Sequence, residues 1–572
     1  MNHRTELFKG SRGNKRPKVL IVGEAWGRDE SMRGMAFVGA SGRELDRMLK
    51  EAGFSLEDCL FTNLINERPP NNDMRHFFYN NTEVKKQKLE PLKGLYPKEK
   101  LKQALSKLDA LIEATQPELI IACGNYSLWY LGDVELKTET KGLVRVVSGI
   151  QKWRGSQLVH SATQIPLLPI LHPAAILRTY SMRWITVRDL KRGARADWTP
   201  PEYNFKVLYN IEDIRRWETR VTRWLESAER TFVVDLETLG LDIKCIGFGY
   251  GATYAECIPI LTKDEQGNWK HHWSPQEYIE VICMLRRVLM HRNLTVVGQN
   301  FIYDLQYLIA EMLCVPKVKA DTMLMNHVMF SQSPKSLEML ASLYCEHYVY
   351  WKDERKSFIL DDKEDIHKGF LYCCEDCART MEVYTVLDDM IDKDDQREQF
   401  NFLMEEFHLS FEMTVRGIKI DLDKRARMRA KAVEQLDALG SEIDKMLPKM
   451  LRPKGNYKAP WYKSNKQLAI VIYDYLLEPE IYSKAGSRTT DEEALQKISE
   501  RNPLLKPVCE NILTYRSLGV FHNTYLSAKL DSDGRARSKY NVGGTETFRW
   551  TSSKSDRGTG MNLQNIPRKR DD

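Results

Sequence analysis

The sequence lacks the features that mark membrane-spanning, secreted and fibrous proteins. No uninterrupted apolar run approaches the roughly 18–20 residues that a bilayer-spanning helix needs. The N-terminal stretch contains basic side chains but not the apolar core of a signal peptide. Only 11 of 572 residues are cysteine, too few for a disulfide framework, and we find no internal repeat or low-complexity tract. We therefore expect a cytoplasmic protein that does not bind membranes.

The chain is also too long for one domain and too apolar to be disordered. At about 150 residues per domain, its length suggests three or four domains, and 42% hydrophobic residues suffice for several cores. The net charge of +6 favours no partner by itself. Residues 535–572 hold nine Lys or Arg against four Asp or Glu, and a second basic run covers residues 178–195. Each run either neutralises nucleic-acid phosphates or forms a solvated basic face.

Strand and helix patterns divide the chain into three regions, 1–200, 206–395 and 396–572. In the first, short apolar strands alternate with helices, which predicts a parallel or mixed α/β sheet. We predict that the polar stretch RGARADWTPPEYNF, residues 192–205, is a linker. The second region opens with two strands joined by a short connection and continues mainly as helices. The third is mostly helical, with an amphipathic helix predicted over residues 422–447. We expect a multidomain α/β protein.

The middle region carries polar side chains in a regular arrangement. Asp235 and Glu237 are two residues apart on a predicted strand, so both side chains leave the same face. Two further pairs are spaced four apart on predicted helices and should also share a face: Asn300 with Asp304, and Tyr372 with Asp376. Carboxylates at the edge of apolar elements are costly unless a cation neutralises them.

These acids fit a site for two divalent metal ions. Asp235, Glu237, Asp304 and Asp376 offer the hard oxygen ligands that suit Mg²⁺ or Mn²⁺. Two such ions about 4 Å apart can activate a water and stabilise the leaving oxygen of a phosphodiester. Tyr372 would orient that water. Taken singly, each pair is equally compatible with ordinary acids of a helix or strand.

The order DxE, NxxxD, YxxxD resembles the three motifs of proofreading 3′–5′ exonucleases of the DnaQ-like, RNase H-fold group. The strings DTML (321–324) and SLEMLASLY (336–344) resemble that group as well, so the resemblance covers about residues 206–395. It implies an RNase H-like domain that binds single-stranded 3′ ends, with Asn300 at the DNA. Cys374 and Cys377 form a CxxC without a second pair at zinc spacing. We interpret them as the apolar side of the Tyr372 helix.

Several strings of the third region resemble family A DNA polymerases. FEMTVRGIKIDLDK resembles the helix that opens their polymerase domain, and WYKSNKQLAIVIYDYL resembles their thumb signature. GGTETFRWTSSKSDRGTGMNLQNIPRK resembles T-x-T-G-R-L-S-S…P-N-L-Q-N-I-P. Phe548, Trp550 and Met561 stand where the family has Gly, Leu and Pro. The resemblance implies a mostly α-helical thumb and the start of a palm.

The same resemblance implies a contact with primer–template DNA. The implied residues are Arg549, Asn562, Gln564 and Asn565, whose guanidinium and amide groups suit phosphates and base edges. The alternative is a polar capping loop. In the family, the palm strand with the first catalytic aspartate follows NLQNIP. We therefore expect no polymerisation by this chain alone. Either a second polypeptide supplies the palm and fingers, or the gene is interrupted.

The first region resembles uracil-DNA glycosylases of the iron–sulfur class. The resemblance rests on KVLIVGEAWGRDE…MAFVGASG…FTNLINERPP and on ILHPAAILR, and covers about residues 15–195. It implies a three-layer α/β domain that binds a flipped uracil. Phe37 would stack on the base and Asn63 would read its Watson–Crick edge. Glu24 would position water or stabilise the sugar cation, and His172 would hydrogen-bond the leaving uracilate.

This region also departs from that class. Trp26 stands where the family has a proline, and Glu67 replaces a cluster cysteine. No CxxC lies upstream, because Cys59 is the first cysteine, so we predict no iron–sulfur cluster. Two alternatives follow: an active glycosylase, or a fold retained for DNA binding or docking whose chemistry is lost.

The order of the three regions resembles replicative polymerases of some large tailed bacteriophages. The sequence therefore predicts the N-terminal part of a phage family A DNA polymerase with 3′–5′ proofreading activity, working in the host cytoplasm. Two alternatives stay open at this stage. One is a non-catalytic DNA-binding subunit of a split polymerase, and the other is an active uracil-DNA glycosylase fused to an exonuclease.

Overall fold

The computed structural model describes residues 6–195, 198–353, 363–452, 460–484 and 486–566, without the side chains of residues 363–365. The chain divides into two compact units, Met1–Asn401 and Phe402–Asp572. The first unit contains two six-stranded sheets. No helix of the described ranges is long and apolar enough to cross a bilayer.

The first sheet has the strand order β1-β3-β2-β4-β8-β7. Its four central strands are parallel, and the short strands β1 and β7 pair antiparallel at its edges. Strands β5 and β6 form a separate hairpin. The strands are β1 (Arg12–Gly13), β2 (Val19–Ala25), β3 (Cys59–Ile65), β4 (Leu119–Cys123), β5 (Lys137–Lys141), β6 (Val144–Ser148), β7 (Leu158–Val159) and β8 (Pro166–Ile170).

Alternating residues of β2 separate two cores. Val19 and Ile21 belong to one apolar cluster, whereas Leu20 and Val22 belong to another, as the period of a strand buried on both faces requires. Helices cover both faces, which confirms the predicted three-layer α/β domain. They are α1 (Arg28–Arg33), α2 (Ala40–Glu51), α3 (Asn81–Gln87), α4 (Glu99–Thr115), α5 (Asn125–Leu131), α6 (Ile150–Trp153), α7 (Pro173–Arg178) and α8 (Arg183–Gly193).

The second sheet has the strand order β16-β15-β10-β11-β12-β9. The two strands predicted to be joined by a short connection are β10 and β11, and they pair antiparallel. The stretch predicted as a linker is shorter than expected, because α8 includes its first two residues and Asn204 begins an edge strand beside β12. The strands are β9 (Asn204–Val207), β10 (Arg230–Leu239), β11 (Asp242–Gly249), β12 (Tyr254–Pro259), β13 (Leu261–Lys263), β14 (Trp269–His271), β15 (Leu294–Gly298) and β16 (Val318–Asp321).

A long helix, α14, crosses this sheet and brings its residues close to β10. Gly247 allows the close approach, because a Cβ there would lie 2.7 Å from the Sγ atoms of Cys373 and Cys377. The helices of this part are α9 (Ile211–Ser227), α10 (Pro275–Leu289), α11 (Ile302–Met312), α12 (Thr322–Met329), α13 (Leu337–Tyr344) and α14 (Lys363–Lys393).

The second unit is mainly helical. The amphipathic helix predicted over residues 422–447 is confirmed, with Leu436 and Leu439 packed against apolar clusters of this unit. The remaining helices are α15 (Arg397–Arg416), α16 (Leu422–Met446), α17 (Asn465–Ala469), α18 (Glu492–Arg501) and α19 (Lys506–Val520). The short strands are β17 (Ile418–Lys419), β18 (Arg535–Ala536), β19 (Ser538–Asn541) and β20 (Thr551–Lys554).

Candidate active sites

Three of the predicted metal ligands converge beside the second sheet. Asp235 and Glu237 leave β10, Asp376 leaves α14, and carboxylate oxygens of the three lie within 4.8 Å of one another. Burial, together with the charges of neighbouring acidic groups, raises the pKa of Asp235 well above its usual value. A bound divalent cation would relieve that repulsion, and carboxylate oxygens are the ligands that Mg²⁺ and Mn²⁺ prefer.

The fourth predicted ligand, Asp304, is also engaged by the backbone. One of its oxygens accepts a hydrogen bond from the N–H of Leu236 at 2.9 Å, so it ties helix α11 to strand β10 between the two strand acids. Asp304 is buried, and burial raises its pKa. Burial is the largest cause of the raised pKa of Asp235, and the charge of Asp304 adds to it.

Asn300 does not share a helix face with Asp304, contrary to the prediction. Helix α11 begins at Ile302, and Asn300 lies before it with a φ of 55°. The buried carboxylate of Asp321 holds this loop by accepting the N–H groups of Asn300 at 3.1 Å and Phe301 at 2.7 Å. Asp321 belongs to the DTML string, and its role in holding this loop was not predicted. A contact of Asn300 with DNA stays a prediction.

Two residues that the sequence analysis missed donate hydrogen bonds to the carboxylate of Asp376. The indole Nε1 of Trp351 donates to one carboxylate oxygen at 2.6 Å, and Nζ of Lys352 donates to the other at 2.5 Å. Lys352 also donates to the hydroxyl of Tyr372 at 3.0 Å. Burial and the charge of Asp376 raise the pKa of Tyr372, so this residue is a neutral phenol that can donate to a water.

A group of buried thiols lies next to the carboxylate of Asp235. The Sγ atoms of Cys245, Cys257 and Cys373 lie within 4.8 Å of one another, a grouping that could hold a soft metal ion. The Sγ of Cys373 lies 3.8 Å from a carboxylate oxygen of Asp235. Cys374 and Cys377 are fully buried, in keeping with their interpretation as the apolar side of the helix.

The four residues predicted for uracil line one cavity of about 690 Å³ in the first domain: Glu24, Phe37, Asn63 and His172. Their approach depends on Gly23, since a Cβ there would lie 2.4 Å from Oδ1 of Asn63 and 2.7 Å from the ring of Phe37. The cavity volume lies in the range of small-molecule sites. A flipped base is a ligand of that class.

Burial shifts the two titratable groups of this cavity in opposite directions. It raises the pKa of Glu24 to about 7, although the N–H of Tyr126 donates to the carboxylate at 3.0 Å. Burial, with a contribution from Arg178, lowers the pKa of His172 to about 4. Nδ1 of His172 accepts the N–H of Ala174 at 3.2 Å, so the neutral ring carries its proton on Nε2 and can donate it.

The two departures from the glycosylase class have different structural consequences. Trp26 lines the cavity beside Glu24, and its indole N–H is buried without a hydrogen-bond partner among the described residues. Glu67 instead forms an ion pair with Lys100 at 2.5 Å, with both side chains partly exposed. The absence of an iron–sulfur cluster stays a prediction.

The predicted DNA-contact residues of the second unit lie around a short turn. Asn562 caps this turn by accepting the N–H of Gln564 at 3.0 Å, and its amide donates to the carbonyl of Ser552 at 2.7 Å. Arg549 and Asn565 are exposed. The capping function is therefore observed for Asn562. Contact of these residues with DNA remains a prediction.

Comparison with known proteins assigns both sheets of the first unit. The uracil DNA glycosylase superfamily matches residues 11–197, and the 3′–5′ exonuclease family matches residues 218–392. The type-4 uracil-DNA glycosylase of Archaeoglobus fulgidus is 28% identical over 183 residues, 32% of this chain and 77% of that protein.

Polymerases match as well. The DNA polymerase of Bacillus phage SP01 is 20% identical over an alignment that covers 97% of this chain and 63% of that polymerase. The solved POL domain of Pol1 from M. smegmatis, in complex with DNA primer-template and dNTP, has a TM-score of 0.46 and 18% identity, over 64% of this chain and 57% of that one. The chain thus contains a glycosylase-like domain and an exonuclease domain, and it is similar along nearly its whole length to a phage DNA polymerase.

Proposed function

We propose that the chain is the N-terminal part of a phage replicative DNA polymerase and that its middle domain removes nucleotides from 3′ ends. The observation that carries this proposal is the convergence of Asp235, Glu237 and Asp376 within an exonuclease-family domain. Mg²⁺ or Mn²⁺ would suit such a site, because carboxylate oxygens are the ligands these ions prefer and closely spaced carboxylates repel one another.

The acids and Tyr372 would have different roles in the reaction. Asp235, Glu237, Asp304 and Asp376 would hold a pair of ions, and the chemistry these ions would supply is activation of a water and stabilisation of the leaving 3′ oxygen. The neutral hydroxyl of Tyr372 would orient the attacking water, since it accepts from Lys352 and is itself a hydrogen-bond donor.

The exonuclease is tested by removing both strand acids. We expect the Asp235→Ala, Glu237→Ala double variant to lose degradation of single-stranded DNA in Mg²⁺ or Mn²⁺. Its unfolding midpoint should stay the same or rise, because repulsion among buried acids is relieved. Asp242→Ala, at an exposed acid of the neighbouring strand, is the matched control and should keep the parental rate. Digestion by the double variant at the parental rate would show the metal assignment to be wrong.

For the second unit, we propose primer–template binding with palm and fingers supplied by a second polypeptide. The similarity to a phage DNA polymerase along 97% of this chain supports the DNA-binding part of this proposal. The basic residues 535–572 should neutralise phosphates, so removing them should flatten the dependence of DNA binding on salt concentration. The purified chain should bind a primer–template without extending it. Template-directed extension by the pure chain would refute the need for a partner.

The cavity of the first domain favours uracil binding as a second function. We expect slow or undetectable uracil release, because the indole of Trp26 beside Glu24 narrows the place for a water. Losing one preorganised group costs roughly a hundred- to thousandfold in rate. The assay is abasic-site formation on a uracil oligonucleotide, in the Asp235→Ala, Glu237→Ala background. Fast release that disappears in Glu24→Ala would instead establish an active glycosylase.

A further inference from the structure

A short segment, Cys345–Asp353, connects the glycosylase-like domain to the exonuclease site. We call it the bridging segment. Both domains lie in one compact unit. At one end of the segment, its backbone pairs with the turn before strand β7 of the glycosylase-like domain. At the other end, it carries Trp351 and Lys352 to the carboxylate of Asp376.

The pairing with the glycosylase-like domain combines one backbone–backbone hydrogen bond with two side-chain acceptors. The N–H of Gln157 donates to the carbonyl of Tyr348 at 2.7 Å, and the N–H of Tyr348 donates to the side-chain carbonyl of Gln157 at 2.9 Å. Two residues on, the N–H of Tyr350 donates to the hydroxyl of Ser156 at 3.1 Å. All four residues are buried, so a lost partner would leave a backbone N–H unpaired away from water.

Buried arginines fasten the start of the segment. Arg154 forms an ion pair with Asp189 at 2.7 Å and donates to the hydroxyl of Ser342 in helix α13, also at 2.7 Å. Arg192 donates to the carbonyls of Ser342 at 2.7 Å and Cys345 at 3.1 Å. Separating the domains would remove the acceptors that Ser342 and Cys345 supply to these two arginines, whereas the Arg154–Asp189 pair lies within the first domain. These hydrogen bonds therefore favour the docked arrangement.

At the other end, the segment occupies one lone pair on each oxygen of Asp376. Each carboxylate oxygen has a second lone pair, and Asp376 belongs with Asp235 and Glu237 to the group of acids that could hold a metal ion. Donors of this kind fix the rotamer of a ligating carboxylate, and losing one typically costs 10–100-fold in metal affinity or activity.

We infer that the glycosylase-like domain contributes to exonuclease activity. It holds the bridging segment, and this segment places two positioning residues, Trp351 and Lys352, at the carboxylate of Asp376. The inference rests on the proposed exonuclease function. It gives the domain a role that does not depend on releasing uracil, in agreement with a cavity that departs from the glycosylase class at Trp26.

The first experiment tests the positioning residues. Trp351→Phe keeps an aromatic ring but removes the donor to Asp376, so the Mn²⁺ concentration for half-maximal degradation of single-stranded DNA should rise about tenfold or more. Lys352→Met should lower the rate at saturating Mn²⁺, and Lys352→Arg, which keeps charge and donors, should restore much of it. A merely structural role would reduce the active fraction without moving the half-saturating Mn²⁺ concentration.

The second experiment tests the domain itself, through residues that do not belong to the acidic site. Ser156→Ala and Gln157→Leu each remove an acceptor for a backbone N–H of the bridging segment. Each should raise the half-saturating Mn²⁺ concentration, and the effect should not add to that of Trp351→Phe, since all act through Asp376. Lys50→Met, at an exposed lysine of the same domain, is the control and should leave this concentration unchanged.

Unfolding midpoints are measured for every variant. If the buried variants do not fold, Lys152→Met replaces them, since Lys152 is half-exposed and pairs with Asp353 at 3.2 Å. A parental chain that degrades no DNA would refute the proposed exonuclease. A degrading parent, with Mn²⁺ requirements that stay parental in the folded Ser156, Gln157 or Lys152 variants, would overturn the inference while leaving the exonuclease intact.

Discussion

At the scale of single residues, burial sets the protonation of the uracil-type cavity. Near pH 7, His172 is neutral because its pKa is about 4, and Glu24 is partly protonated because its pKa is about 7. An ordinary glutamate would be fully ionised there. The cavity therefore carries less negative charge toward DNA phosphates than its sequence suggests.

This raised pKa makes a prediction for stability. The folded protein binds the Glu24 proton more tightly than the unfolded chain, so stability falls as pH rises from about 4.5 toward 7. Glu24→Gln removes the ionisable group and keeps an acceptor for the N–H of Tyr126. Its stabilisation relative to the parent should grow by about 2–3 kcal/mol between pH 5 and pH 8. His172 is present in both proteins, so its titration cancels. Urea unfolding at the two pH values measures the difference, and a pH-independent difference would contradict the assignment.

The residues that the sequence predicted are those that belong to local patterns. Asp235 with Glu237, and Tyr372 with Asp376, are fixed by the periods of a strand and a helix, and both pairs reach one site. Trp351 and Lys352 were missed because their partner, Asp376, lies about 25 residues further along the chain and no spacing connects them. Such contacts depend on tertiary packing, which one sequence does not display.

At the scale of elements, apolar runs predicted the strands well, and their ends less well. The short apolar runs at residues 18–23, 59–65 and 118–124 correspond to strands β2, β3 and β4, with differences of at most two residues at their ends. The NxxxD pair failed as a helix-face prediction because asparagine tolerates the left-handed backbone. The N–H groups of Asn300 and Phe301, at the point where the helix would otherwise begin, donate to the carboxylate of Asp321 in strand β16.

The turn between β4 and α5 makes a second prediction. Gly124 has a φ of 99°, and a Cβ there would lie 2.5 Å from Oε1 of Glu24 and 3.2 Å from Cβ of His172. Gly124→Ala should destabilise the protein by about 2 kcal/mol or more, from strain and collision together, and should weaken binding of a uracil oligonucleotide. Gly142→Ala, in an exposed hairpin with open space around its Cβ, is the matched control. It should cost about 1 kcal/mol and leave binding unchanged. Equal effects on binding would contradict the cavity geometry.

At the scale of the whole molecule, the sequence predicted the kinds of domain but not their dependence on one another. Motifs within each region indicated a glycosylase-like fold and an exonuclease, and the family matches agree. The docking rests instead on two buried arginines. The sequence analysis did not single out Arg154, and it placed Arg192 in a basic run that either neutralises phosphates or is solvated, whereas the structure buries it. A charged side chain reads as a surface residue until its buried partner, here Asp189, is known.

The distribution of thiols over the molecule makes the last prediction. All eleven cysteines lie in the described part of the chain and are unpaired, and Cys283 alone is exposed. Reaction with a thiol reagent requires both access and the thiolate. Burial denies access elsewhere and raises the pKa of Cys59 to about 12 and of Cys509 to about 11. One thiol per native chain should therefore react quickly at pH 8, and all eleven after unfolding. Cys283→Ser should abolish the fast phase. Fast labelling of Cys373 in the native protein would contradict the close contact between helix α14 and the sheet, since that contact is what hides this thiol behind Asp235.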